Sequence, residues 1–210
     1  MTRKEETAET ASFDKLRISA HGEPVEPWAL RVIGVLCGLT VLCGSFWSWP
    51  ASAQAAGPVI VVETTKGTFE LETYPADAPK TVAHIVDLVR RGFYDGQRVH
   101  RALPGFLVQW GDPRSRDLAR EDEWGRGPDA SSGHPIGASE LRRKHPHTRG
   151  AVAVAHQGIP ILADSQIYVT LANRPDLNNR YTVFGHIIEG DDVPARLERG
   201  DLIRKMYVKE

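Results

Sequence analysis

Residues Ala78–Pro113, APKTVAHIVDLVRRGFYDGQRVHRALPGFLVQWGDP, change hydrophobic period half-way along, and that change decides the fold class. In the first half Val82, Ile85, Val86 and Val89 recur at i, i+3, i+4 and i+7, the spacing that gathers side chains on one face of a helix. Pro79 stands near the start, Arg90 and Arg91 fall in the last turn and Gly92 follows, so the segment reads as an amphipathic helix with start and stop signals. The second half is strand-like in two short pieces, Arg98–Ala102 and Phe106–Trp110.

Working outward, strands dominate. Val59–Thr64 is β-rich, Lys66-Gly67 reads as a turn, and Thr68–Thr73 alternates, with Phe69 and Leu71 on one face and Thr68, Glu70 and Glu72 on the other. This is a hairpin with one buried face. Further strands are expected at Ala151–Ala155, Gln166–Leu171, Tyr181–Ile188 and Leu202–Val208, and a short second helix at Val193–Arg199. Between Gly111 and Gly150 runs a long polar loop rich in Gly, Pro, Arg and His. Many short strands with one early and one late helix suggest a mainly β fold, an antiparallel barrel capped by helices. The periodicity alone does not establish closure.

At this point the residues resemble a known family. The order helix, Phe-Tyr-Asp-Gly, then His-Arg-x-x-Pro-Gly-Phe-x-x-Gln-x-Gly-Asp within Ala78–Pro113 is similar to the cyclophilin signature. Four more blocks fit in sequence: RGAVAVAH (Arg149–His156), DSQIYVTLA (Asp164–Ala172), LNNRYTVFGHIIEG (Leu177–Gly190) and LERGDLIRKMYV (Leu197–Val208). The resemblance covers residues 58–210 and implies a closed eight-stranded antiparallel barrel capped by two α-helices. It also implies peptidyl-prolyl cis/trans isomerase activity on proline-containing polypeptides, with no cofactor and no metal. By position, Arg101 is implied as the catalytic arginine and Gln109 as its hydrogen-bonding neighbour. Phe106, Leu107, Tyr168 and Leu177 are implied to form the proline pocket, Ala155 and His156 to contact the preceding residue, and Gln166 and Tyr181 to lie at the rim.

The chemistry makes sense of these residue types. Rotation about an X–Pro bond crosses a barrier of about 18–20 kcal/mol because it breaks amide resonance. In the twisted state the prolyl nitrogen regains a lone pair, to which a permanently charged guanidinium can donate; the planar amide offers no such acceptor. Reaching the millisecond range requires roughly 10⁴-fold, about 5–6 kcal/mol. One charge-assisted hydrogen bond in a dry pocket supplies part of this, and desolvation adds more. Lysine at position 101 is expected to serve poorly, since it lacks the planar fork.

Several positions depart from the family pattern. Asp176 stands where eukaryotic members often carry a pocket-rim tryptophan, so weak binding of cyclosporin is expected. Trp110 replaces a glycine, which predicts different packing of that strand. His156-Gln157 replaces the usual Asn-Ala pair, and one extra residue precedes Ser165-Gln166, so an altered preference for the residue before proline is expected.

Competing readings are weaker. His145, His147 and nearby His134 invite a metal site, but spaced histidines in a polar loop more often face solvent, and no carboxylate-plus-His spacing supports one. Ser165, His100 and Asp112 permit a nominal hydrolase triad without a nucleophile elbow around the serine. Arg142-Arg143-Lys144 lacks the aromatic interleaving of a single-strand binder. The alternative from a different functional class is a proline-peptide binding module or holdase with little turnover.

The totals bound partners and place. Residues 1–53 hold five Lys/Arg and six Asp/Glu, leaving 21 of each in residues 54–210, a neutral body with no field to attract nucleic acid or anionic lipid. Both cysteines, Cys37 and Cys43, lie in the apolar run Val32–Trp47, so the body beyond it has neither a disulfide nor a thiolate site. That 16-residue run, followed by Ala51-Ser52-Ala53, resembles a secretory signal cleaved after Ala53 within residues 32–53. It is short of the about 20 residues of a membrane span. The expectation is a periplasmic or secreted body, a monomer free of the membrane after cleavage; the alternative is an uncleaved N-terminal anchor. Residues 1–31 form a polar extension longer than a usual signal start, which points to translation beginning near Leu30 or Val32.

Overall fold

In a computed structural model that describes residues 57–126 and 131–210, the period-3.6 segment forms one helix, α1 (Pro79–Arg90), with Val82, Ile85, Val86, Leu88 and Val89 buried. Ala78 supplies no side-chain cap at its start. Glu140 does so from sixty residues downstream, accepting from the Lys80 N–H at 3.1 Å and the Thr81 N–H at 2.8 Å. The expectations for residues 1–31 and 32–53 fall outside the described residues.

Eight strands follow the sequence pattern: β1 (Val59–Thr64), β2 (Gly67–Thr73), β3 (Arg101–Leu103), β4 (Leu107–Trp110), β5 (Ala151–Val154), β6 (Ile167–Thr170), β7 (Val183–Glu189) and β8 (Ile203–Val208). They form one antiparallel sheet in the order β3-β4-β6-β5-β7-β2-β1-β8. Register shifts at Glu63/Thr64, Glu70/Leu71 and Val152/Ala153 bend the sheet on itself.

Closure is partial, and here the expectation overstated the fold. The edge strands β3 and β8 share no ladder. The chain just before each meets instead, through a single bridge between Arg98 and Leu202 and hydrogen bonds such as Val99 N–H to Asp201 C=O at 2.9 Å. The second helix, α2 (Val193–Arg196), is one turn, shorter than Val193–Arg199; Leu197 is already extended.

Alternation sorts each strand between two environments. Val108 and Trp110 of β4, Val152 and Val154 of β5, and Ile167 and Val169 of β6 point inward and join Ile60, Phe69, Phe184 and the apolar face of α1 in the main core. Their neighbours Leu107, Ala151, Ala153 and Tyr168 point outward, yet they too are buried, in a second cluster with Leu177 and Val183. Trp110 shows how this chain fills the space a glycine would leave: its ring is fully buried, edge-on to Phe69 at 6.2 Å, with its N–H donating to the Met206 sulfur at 3.4 Å.

Candidate active site

The outer apolar cluster is the floor of a groove, and strand register aligns its chemistry. Arg101 lies opposite Gln109 across β3–β4, Gln109 opposite Tyr168 across β4–β6, and Tyr168 opposite Ala153 across β6–β5. One row of outward side chains thus runs over four strands. Above it sits a pocket of ≈ 270 Å³ lined by Arg101, Phe106, Leu107, Gln109, Ala155, His156, Gln166, Tyr168, Leu177 and Tyr181. All ten residues singled out in the sequence meet there; Gly125 and Gln157 complete the wall.

Arg101 is exposed, on an edge strand, with its guanidinium carbon 5.8 Å from the centroid of the Phe106 ring. Among the described residues none accepts a hydrogen bond from it, which leaves its donors available to a ligand. The amide of Gln109, expected to pair with Arg101, donates instead to Gln166 Oε1 at 2.9 Å. The reason lies in the register: Gln109 sits in a central strand beside the chain entering β6, and at 8% exposure it satisfies its amide locally.

The pocket's aromatic residues are held from behind. Tyr168 is buried, its hydroxyl 2.9 Å from His147 Nε2, while His147 Nδ1 lies 3.1 Å from Asn178 Oδ1. Burial pushes the Tyr168 hydroxyl up and the His147 imidazole down from their ordinary values, so both stay neutral at physiological pH. The solvent-facing reading of His147 is therefore corrected: it is 2% exposed, because it must reach the Tyr168 hydroxyl. His145 is half-buried, stacked on Tyr74 at 3.9 Å and 2.8 Å from Asp77; His134 is exposed.

At the far wall His156 accepts from the Gly158 N–H at Nδ1 (3.1 Å), which places its proton on Nε2, facing the Arg180 carbonyl at 2.9 Å. The ring so oriented lies 4.6 Å from Tyr181. Arg174, not singled out in the sequence, supports Phe106 beside the pocket. Its guanidinium lies over the Phe106 ring and is gripped at two points by Asp176, at 2.9 and 2.7 Å. Asp176 stood out in the sequence as a departure from the family pattern, but its pairing with Arg174 two residues earlier carries no periodic signal.

The hydrolase reading fails on geometry. Ser165 is fully buried with its hydroxyl donating to the Gly111 carbonyl at 2.8 Å. Asp112 is also fully buried and binds Arg114 and the Gly125 N–H. Burial works against the Asp112 charge but is outweighed by hydrogen bonds from Arg114 and Gly125, which hold its carboxyl below the usual range. Asp112 therefore delivers the loop carrying Gly125 to the pocket rim.

Residues 59–209 match the family model described as cyclophilin type peptidyl-prolyl cis-trans isomerase/CLD. The chain belongs to this family. A probable peptidyl-prolyl cis-trans isomerase of Brucella abortus is 34% identical over 160 residues, covering 75% of this chain and 81% of the relative. Peptidyl-prolyl cis-trans isomerase CYP18-2 of Arabidopsis thaliana is 33% identical over 148 residues, covering 70% and 84%. A crystal structure of a Cryptosporidium parvum cyclophilin shares the fold with a TM-score of 0.64 at 21% identity, covering 73% of this chain and 98% of that one. The same protein was also crystallised in the presence of the dipeptide Ala-Pro. This cyclophilin is thus a peptidyl-prolyl isomerase in which the Arg174–Asp176 pair backs Phe106 and His156 lines the pocket.

Proposed function

We propose that Arg101 accelerates X–Pro rotation by donating a hydrogen bond to the prolyl nitrogen as it becomes pyramidal, while the proline ring rests on Phe106, Leu107, Tyr168 and Leu177. The observation that carries this is an exposed guanidinium, without an acceptor among the described residues, at the lip of an apolar, buried floor in one pocket. A fixed donor there meets charge that develops only in the twisted state, so its effect falls on the barrier and not on ground-state binding. Ala155 and His156 bound the site of the residue before proline. The Gln109–Gln166 pair supplies an oriented amide edge for the substrate backbone.

The test is cis-to-trans isomerisation of a short prolyl peptide by the wild type and by Arg101→Ala and Arg101→Lys. Loss of one charge-assisted hydrogen bond, about 1.5–3 kcal/mol, lowers kcat/KM by roughly 10- to 100-fold, with unfolding unchanged because the side chain is exposed. Equal rates in wild type and Arg101→Ala would remove Arg101 from the mechanism. Tight peptide binding with no acceleration would favour the binding-module reading.

We further infer that the body works outside the cytoplasm on newly exported chains, as a monomer. Supporting this are the apolar run Val32–Trp47 followed by Ala51-Ser52-Ala53 and the absence of cysteine beyond it. N-terminal sequencing of the protein from a cell envelope fraction should begin at Gln54; a start at Thr2 would refute cleavage.

A further inference from the structure

Beside the proline pocket lies a second pocket of ≈ 260 Å³ that shares Arg101, Gln109 and Gly125 with it and continues past Trp124 to Arg126 and Arg199. His100 forms part of its wall. The imidazole is 3% exposed, and among the described residues neither ring nitrogen has a hydrogen-bond partner. A buried donor or acceptor left alone is costly, and native structures satisfy nearly all of them. Arg199 is committed: it lies 5.3 Å from the Trp124 ring centroid, meets Glu121 Oε1 at 3.3 Å and donates to the carbonyls of His100 and Glu121. Arg126 has no acidic partner among the described residues, and neither does Arg101. Among the described residues the pocket therefore holds two guanidinium groups without an acidic partner, a third fixed to an aromatic wall and, buried in its wall, an imidazole without a hydrogen-bond partner.

We propose that this pocket is a specificity subsite for an acidic side chain of the substrate, an Asp or Glu within two residues of the proline, held chiefly by Arg126 with His100 as a neutral donor. A residue of extended chain spans about 3.3–3.6 Å, so a carboxylate one or two residues away reaches a pocket that abuts the first. The subsite rests on the isomerase reading for its substrate. It predicts an effect on KM alone, because Arg101 must stay free for the prolyl nitrogen.

The experiment uses acetylated, amidated prolyl peptides, whose only carboxylate is a single Glu moved through the two positions on each side of the X–Pro bond, with Gln peptides as references. At one position Glu should be preferred about three- to tenfold in KM and in Kd, with kcat unchanged. That preference should shrink in 0.5 M salt, and Arg126→Gln should bring it to about one. The His100 ring resonances should shift with the Glu peptide and not with the Gln peptide. A Glu/Gln ratio near one at every position, a ratio that survives Arg126→Gln, or a falling kcat with Glu overturns the proposal. Since the ratio is taken within each variant, loss of folded protein cancels. If no peptide is turned over, the isomerase reading fails, and the Kd ratio still decides the subsite.

Discussion

The guanidinium carbon of Arg174 lies 3.7 Å from the centroid of the Phe106 ring, closer than that of Arg101 on the same ring at 5.8 Å. Asp176 orients Arg174, and each lifts the other's charge preference: the hydrogen bond holds the Asp176 carboxyl below its ordinary value and Arg174 above its own. The stack keeps Phe106 flat against the proline site. Removing it in Arg174→Ala costs about 0.5–1 kcal/mol of ring ordering, so KM should rise two- to fivefold with kcat nearly constant. Asp176→Ala should do the same more weakly, by loosening Arg174. Steady-state kinetics on a prolyl peptide check both; a fall in kcat without a change in KM would show that Phe106 needs no such support. An arginine–carboxylate pair also offers a large macrocyclic ligand a polar rim in place of an indole, so cyclosporin should bind weakly, and a nanomolar Kd would contradict this.

Gly125 is required by two independent constraints. Its φ is +75°, and a Cβ there would stand 2.6 Å from His100 Cδ2, a ring locked in the wall. Gly125→Ala therefore has to displace either the imidazole or the loop held by Asp112. The expected loss is about 1–3 kcal/mol of stability, together with a raised KM, since Gly125 borders the proline pocket. Urea denaturation and peptide kinetics on the same preparation measure both, and a variant as stable as wild type would mean that the loop relaxes freely.

The elements were legible from period: alternation marked the strands, and the i, i+3, i+4, i+7 stripe marked α1. Leu107, Gln109, Gln166 and Tyr168 were legible only through the family resemblance, and the structure brings all four into one pocket. The Gln109 partner was not, because register across β4–β6 is a tertiary property that no local pattern encodes. Neither were His147 and Arg174: the polar loop that looked solvent-facing folds back on Tyr168, and a buried histidine looks like any other until its partner is placed. The length of α2 was overestimated because Leu197 is apolar and buried, which prolongs the helical pattern although the backbone is extended there. The seam at Arg98 and Leu202 escaped notice because one isolated bridge has no repeat to read.

His100 should make the protein sensitive to mild acid. Burial pushes its pKa down to about 4; Asp112 opposes this, and Arg199, Arg101 and Arg114 reinforce it. An imidazole in the unfolded chain titrates near about 6.5, so as pH falls the unfolded state takes the proton first. The contribution to stability is complete above about pH 6.5 and is lost as pH drops toward about 4, an effect on the order of 3 kcal/mol. His147, also lowered by burial, acts in the same direction, whereas the depressed carboxyl groups of Asp112 and Asp77 titrate below this window. Urea midpoints at pH 7.5 and 4.5 should differ accordingly, and the gap should narrow in His100→Gln. Equal midpoints in the wild type would refute a buried neutral imidazole.

Glu140 offers a test that separates stability from catalysis. It is 7% exposed, lies outside the pocket, and caps α1 through two backbone N–H groups while its own N–H donates to Thr182 Oγ1 at 3.2 Å. The carboxylate also faces the positive end of the helix, where negative charge is favourable. Glu140→Ala leaves two donors at a buried helix start without a partner, at a cost of about 1–3 kcal/mol, or roughly 3–10 °C in Tm. Because α1 packs on the inner core while the proline pocket lies on the outer face of the sheet, kcat/KM per folded molecule should stay within about twofold of wild type. A calorimetric scan paired with the isomerisation assay gives both numbers. An unchanged Tm would mean that water replaces the carboxylate at the helix start, and a large drop in kcat/KM with Tm intact would place Glu140 in the path between helix and groove.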